Sequence, residues 1–220
     1  MGAKVALFMI TFASLKNLNM LLDKLKEYRV ILASKSPRRQ ELLREMGMDF
    51  EVCQSEEAEV ISADWTPEQA VQQLAVQKAE AVFRRLSVYA SERKPLLVIG
   101  GDTVVVQDNR ILGKPAGPED ARKMLENLSG RAHLVHSGIC VMTAGKQLTS
   151  CDSTRVTFAR LSDSEISHYL DCYAPYDKAG SYGIQEWIGL VGIADISGSF
   201  YGVMGLPTFR LWQLLTEITD

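Results

Sequence analysis

One segment limits the fold more than any other. Pro95 to Val106 contains the run Leu97-Val98-Ile99-Gly100-Gly101-Asp102-Thr103-Val104-Val105, which is apolar on both sides of a single carboxylate. A run of this kind reads as a strand, and Asp108-Asn109 turns it into a shorter partner, Arg110 to Leu112. Asp102 is the anomaly within it. An unpaired charge in an apolar strand is costly unless it sits at a wet site or meets a cation. A turn-capping aspartate is the alternative, but the valines beyond it carry the strand onward, which favours a functional carboxylate. Gly100 and Gly101 would let a ligand or metal approach the backbone closely.

The surrounding pattern alternates strands with helices. Val30 to Ala33 reads as a short buried strand. Ser36 is a good N-cap, Pro37 suits the first helical position, and Leu42, Leu43 and Met46 give an apolar stripe that Gly47 ends. Phe50 to Gln54 reads as a second strand and Ser55 to Asp64 as an acidic connection. Thr66-Pro67-Glu68-Gln69 is a capping box opening a long helix, with Val71, Leu74, Ala75, Ala79, Val82, Phe83 and Leu86 as its apolar stripe. Pro118 to Leu128 is a further helix closed by Gly130, and Leu134 to Met142 and Leu148 to Phe158 are strands joined around Gly145. A second capping box, Ser162 to Glu165, starts a helix through Leu170. Two strands are expected around Leu190 to Ile196 and Phe200 to Met204, either side of a Ser197-Gly198 turn, before Pro207 opens the last helix. The hairpins imply a mixed sheet.

Composition narrows the partners. At 220 residues, with 46% hydrophobic and 23% charged positions, the chain can fill one core or two closely associated lobes. A net charge of -3 argues against duplex nucleic acid as the main partner. Cys53, Cys140, Cys151 and Cys172 are scattered without a C-x-x-C pair, and His133, His136 and His168 lack metal-ligand spacing, so neither a disulfide framework nor a zinc site is expected. Free thiols suit a reducing, cytoplasmic compartment. Lys4 followed by Val5 to Ala13 faintly imitates a signal peptide, but the run is short and falls far below the ~20 apolar residues that span a bilayer. Residues 1–19 are read as a dispensable extension and residues 20–220 as the folded domain, with no membrane partner.

Three constellations carry the chemistry. Ser34-Lys35-Ser36-Pro37-Arg38-Arg39 sets two arginines on the first turn of a helix, where the macrodipole disfavours cations by ~0.3–1 kcal/mol each. A bound anion relieves that repulsion, and strand, serine-rich turn and basic helix start together describe a phosphate cradle; pairing of the arginines with Glu41 or Glu45 is an equal alternative. Lys78 falls inside an apolar stripe, where it either snorkels to an edge or reaches a phosphate across a cleft. Lys114 follows the hairpin that returns the chain toward Asp102; Gly113-Lys114-Pro115 is no P-loop, because proline replaces the Ser/Thr. The third constellation, Tyr176-Asp177-Lys178-Ala179-Gly180-Ser181-Tyr182-Gly183-Ile184-Gln185, is too polar for core and too glycine-rich for a helix. A plain loop is the alternative to a ligand-binding segment in which Gln185 offers donors and acceptors to a base edge.

Taken in order, these stretches, with Leu128-Ser129-Gly130-Arg131 and Val203-Met204-Gly205-Leu206-Pro207, resemble the motif series of the Maf-like nucleoside triphosphate pyrophosphatases over about Val30 to Leu215. The resemblance implies an α/β fold similar to that of the inosine triphosphate pyrophosphatases (Maf/Ham): an elongated mixed sheet flanked by helices, with two lobes around a cleft. It implies a substrate-binding set of Ser34, Ser36, Arg38, Arg39, Lys78, Thr103, Lys114, Asp177, Lys178 and Gln185. Asp102 is implied as general base or metal ligand, with Glu59 as a second ligand of Mg²⁺ or Mn²⁺, although Glu57-Ala58-Glu59 departs from the paired acids of the family. Arg38, Thr103 and Gln185 match the branch acting on dTTP and UTP, with CTP or modified pyrimidine nucleotides as further substrates. A nucleotide-sensing regulator without turnover, related to cell division, is the alternative function. Homodimerisation is a family-level expectation.

Overall fold

The computed structural model describes residues 20–88 and 94–220, so the expected extension over residues 1–19 lies outside the described residues. Residues 20–25 are helical (α1). They are followed by β1 (Arg29–Leu32), α2 (Pro37–Glu45), β2 (Glu51–Val52), α3 (Pro67–Ser87), β3 (Leu96–Gln107), β4 (Arg110–Leu112) and α4 (Pro118–Leu128). The second half contains β5 (Ala132–Met142), β6 (Gln147–Phe158), α5 (Asp163–Tyr173), a 3₁₀ turn (Ala179–Ser181), α6 (Trp187–Gly192), β7 (Ile193–Ser197), α7 (Phe200–Met204) and α8 (Thr208–Thr219). The strands form one mixed seven-stranded sheet in the order β2-β1-β3-β5-β6-β7, with β4 paired to β3. β1 is parallel to β2 and β3, and the other pairings are antiparallel. Among the described residues no helix is long and apolar enough to cross a membrane.

Local signals place most of these elements. Both capping boxes form, Thr66 with Gln69 and Ser162 with Glu165, and Ser36 caps α2 ahead of Pro37. Three readings need correction. β2 is shorter than Phe50 to Gln54. The first part of Leu190 to Ile196 belongs to α6, and only Ile193–Ser197 is strand. Phe200–Met204 is a helix: the Ser199 side chain accepts the Gly202 N–H, and Gly205 ends the helix at φ 117 in the left-handed region. A five-residue apolar run carries no period that separates strand from helix, and here the cap decides.

The sheet is covered on both faces. α3 lays Ala75, Val76, Ala79 and Val82 over Ile31, Val98, Cys140 and Met142. α1, α2, α4, α5 and α8 bury Leu21, Leu43, Leu125, Tyr169 and Leu215 against Leu32, Ile99, Ile139 and Phe158 on the opposite face. Each such aliphatic side chain contributes roughly 1.5–3 kcal/mol on burial. α3 lies very close to the sheet. A Cβ on Gly100 would sit 2.1 Å from the Ala75 carbonyl oxygen, and one on Gly138 2.4 Å from the Val71 carbonyl. Gly100 therefore serves helix packing, not ligand approach as the sequence suggested. With Ala75 seated over Gly100, the next turn of α3 brings Lys78 over Asp102.

One edge of β3 is interrupted. β1 pairs with it only as far as Leu32 opposite Ile99, where the Ala33 N–H donates to the Ile99 carbonyl at 2.8 Å. β4 resumes the edge at Val105 opposite Leu112. Between them, β3 from Gly100 to Val104 has no strand neighbour on that side among the described residues. β1 has by then turned away through Ser34 to Ser36 into α2. The opening lies beyond the end of a parallel strand, the position where open α/β sheets collect ligands.

Candidate active site

A cleft of about 460 Å³ fills this opening. Ser34, Ser36, Arg38, Arg39, Glu59, Lys78, Asp102, Thr103, Lys114, Asp177, Lys178 and Gln185 all line it, so every residue singled out in the sequence converges there. Segments far apart in the chain meet because β1 and β4 both end at the break in the sheet, which β3 spans.

Strand alternation divides Asp102 from Thr103. Asp102 points to the α3 face, where Lys78 Nζ donates to its Oδ1 at 2.5 Å and lies 3.1 Å from Glu59 Oε1. Lys78 thus faces the cleft and does not snorkel outward. Two carboxylates converging on one ammonium also provide two hard oxygen ligands at one point. Among the described residues no set of three or more potential ligands occurs, but Mg²⁺ is commonly held by one or two carboxylates completed by substrate phosphates and water. Asp102 and Glu59 fit that pattern.

Thr103 points to the other face and enters a closed chain of hydrogen bonds. Arg39 donates from Nη2 to Thr103 Oγ1 at 3.2 Å, from Nη1 to Ser34 Oγ at 3.1 Å and from Nε to the Gly205 carbonyl at 2.8 Å. Ser137 Oγ donates to the Gly202 carbonyl at 2.6 Å, so Thr103, 2.8 Å from Ser137 Oγ, supplies its own proton to that contact. The Thr103 hydroxyl is therefore engaged within the protein and fastens α7 to the sheet. Arg39 is buried, and desolvation lowers its guanidinium from the usual value while the nearby Asp102 charge partly offsets this. It remains a cation beneath the cleft floor, with two Nη protons left over. Ser34 Oγ accepts from Arg39 and from the Ser36 N–H, and Ser36 Oγ accepts from the Arg39 N–H. Both hydroxyl protons stay available to an anion.

Arg38 does not pair with Glu41 or Glu45. Its Nη1 donates to Asp177 Oδ2 at 3.1 Å. Lys178 Nζ lies 2.7 Å from Asp177 Oδ1 and 3.0 Å from Glu186 Oε1. Hydrogen bonds from Lys178 and Arg38 hold the Asp177 carboxyl below its ordinary range against the opposing effect of burial. The Tyr169 hydroxyl donates to Glu186 Oε2 and accepts the Gly183 N–H at 3.0 Å. Lys114 and Gln185 are exposed at the rim.

Sequence reasoning missed Ser137, Tyr169 and Glu186, and it named Gly205 only within a motif, without its contact to Arg39. Glu186 directly follows Gln185, so proximity to a polar motif was its signal. Tyr169 lies on the apolar face of α5 and carries no signal of its own.

The family model described as Maf-like protein matches residues 29–218. The chain belongs to the Maf family. A Porphyromonas gingivalis relative named dTTP/UTP pyrophosphatase is 46% identical over 201 residues, covering 91% of this chain and 99% of that protein. Maf relatives of the same name from Phocaeicola vulgatus and Bacteroides thetaiotaomicron are 44% and 42% identical over 90% of this chain and their own full length. Among solved structures, the Staphylococcus aureus Ham1 protein aligns with this Maf chain at a TM-score of 0.46 and 14% identity, over 87% of this chain and all of that one.

Proposed function

We propose that this chain hydrolyses dTTP and UTP to the nucleoside monophosphate and pyrophosphate. The observation that carries the reading is Asp102: a carboxylate sharing one lysine with Glu59, beside Arg39 and Lys114 in a cleft whose other carboxylates include Glu57 and Asp177. A site built only to hold a triphosphate gains nothing from a carboxylate there, since like charges repel. A site that must activate water gains a proton acceptor. The names of the Maf relatives support the same substrates.

In this reading Asp102 accepts a proton from a water whose oxygen bonds to the α-phosphorus. The bond from that phosphorus to the oxygen bridging α and β breaks, and pyrophosphate leaves with its electron pair. Lys114, the spare Arg39 protons and the Ser34 and Ser36 hydroxyls face the charge that builds on the phosphate oxygens, an electrostatic role that usually dominates such transfers. Asp102 and Glu59 would hold a Mg²⁺ or Mn²⁺ ion, whose chemistry is to neutralise phosphate charge and acidify water. Arg38, Asp177 and Gln185 lie toward the nucleoside.

Incubation with UTP or dTTP and Mg²⁺, followed by product identification, tests the proposal. Pyrophosphate and the monophosphate are expected in equal amounts. A diphosphate with orthophosphate would refute cleavage at the α-phosphorus, and binding without any product would favour the nucleotide-sensing alternative.

A further inference from the structure

Lys178 is a lysine of the cleft wall that a triphosphate does not need. Its side chain is 10% exposed and its ammonium sits between Asp177 and Glu186. Asp177 also takes the charge of Arg38. Two cations and two carboxylates therefore cancel along this wall, and the segment offers no net charge to phosphate. The Ser34, Ser36 and Arg39 cradle keeps spare hydroxyl and Nη protons for an anion, so the phosphates and the nucleoside are sorted by charge.

The neutral wall is held in place from behind. The Tyr169 hydroxyl, on the buried face of α5, donates to Glu186 and accepts the Gly183 N–H. Glu186 packs so tightly on the chain that a Cβ on Gly183 would meet its carboxylate at 2.8–3.0 Å. Gly183 and Gln185 line the cleft, whereas neither Tyr169 nor Glu186 does. We propose that Tyr169 and Glu186 are positioning residues for the nucleoside end of the site, fixing Lys178 and the Gly183–Gln185 backbone without touching substrate. This rests on the nucleotide reading above. It predicts that loosening them weakens hold on the nucleoside and leaves the phosphate end as it was.

Tyr169→Phe removes one hydroxyl, and Glu186→Gln keeps shape while removing the charge that faces Lys178. Each is expected to raise the KM for UTP and dTTP about ten- to hundredfold, the scale of one hydrogen bond to a charged group, with kcat changed less than about twofold. Product inhibition by UMP should weaken by the same factor, and inhibition by pyrophosphate should not change. Gly183→Ala, which displaces the Glu186 carboxylate, should reproduce the pattern, so failure of one variant to fold leaves two to decide. A KM at the wild-type value, or equal weakening of UMP and pyrophosphate inhibition, overturns the proposal. If the unaltered protein turns over neither UTP nor dTTP, the function reading fails by itself. Equilibrium binding of UMP and pyrophosphate to the protein and its variants then decides the positioning role by the same criteria.

Discussion

Among the described residues, Lys78 and Lys178 each sit between two carboxylates, and their surroundings differ. Lys78 bridges Asp102 and Glu59; Lys178 bridges Asp177 and Glu186. Among the described residues, Asp102 and Glu59 take no hydrogen bond from any donor but Lys78. Glu186 has the Tyr169 hydroxyl besides its lysine, and Asp177 has Arg38. The first cluster can exchange its ammonium for another cation or a water without leaving a second donor stranded. The second is locked on both sides. On the proposed reading the first cluster supplies chemistry and the second supplies shape.

The largest effect should come from disturbing the exchangeable cluster at its centre. Asp102→Asn is expected to lower the rate of pyrophosphate release about 10²–10⁴-fold, the usual contribution of a positioned base, with the melting temperature nearly unchanged. A variant with near-normal turnover would break the comparison on its chemical side.

The next test sets the lysines against each other. Lys178→Met leaves the Glu186 carboxylate, whose side chain is 18% exposed, still held by the Tyr169 hydroxyl, and should cost about 1 kcal/mol of unfolding free energy. Lys78→Met takes from Asp102, whose side chain is 16% exposed, its one donor among the described residues and should cost about 3 kcal/mol, as broken buried pairs do, while lowering turnover. Denaturant unfolding of both variants reads the difference; equal stability losses would erase the distinction.

A pH-dependent effect, the smallest near neutral pH, sharpens the locked side. His133 is 3% exposed and its Nε2 lies 2.7 Å from the hydroxyl of Tyr182, within the same segment as Lys178. Burial pushes the imidazole down from 6.5 to about 4. The unfolded chain therefore takes up this proton first as pH falls. The stability tied to neutral His133 is complete above about pH 6.5 and is lost as pH drops toward about 4. The loss amounts to at most roughly 3 to 4 kcal/mol, at 1.36 kcal/mol per unit. Melting temperatures across this range should fall more steeply for the unaltered protein than for His133→Gln; parallel curves would exclude the histidine as the cause.

Much of the fold and of the cleft is legible in the residues alone, for identifiable reasons. Ser36-Pro37, Thr66 to Gln69 and Ser162 to Glu165 announce helix starts because caps satisfy orphan N–H groups through nearby residues alone. Asp102 stands out because a charge in an apolar strand needs a partner. Phe200–Met204 misleads because five apolar residues fit either period, and the Ser199 cap and Gly205 have to be weighed instead. Gly100 looks like a place for a ligand, whereas Ala75 of α3 occupies the space its missing side chain leaves.

The sequence by itself determined the alternation of elements and the mixed sheet, which follow from caps and periods, and it marked Asp102 by the cost of isolated charge, while Glu59 and Thr103 of the cleft lining entered through the family resemblance. Only the tertiary structure decided how those residues pair. Nothing local tells Lys78 that its partners are Asp102 and Glu59, or Arg39 that its partners are Ser34, Thr103 and the Gly205 carbonyl. Those choices depend on α3 resting directly on Gly100 and Gly138, and on β1 ending where β4 has not yet begun. Both are contacts between segments whose separation along the chain is far greater than any cap or period can span.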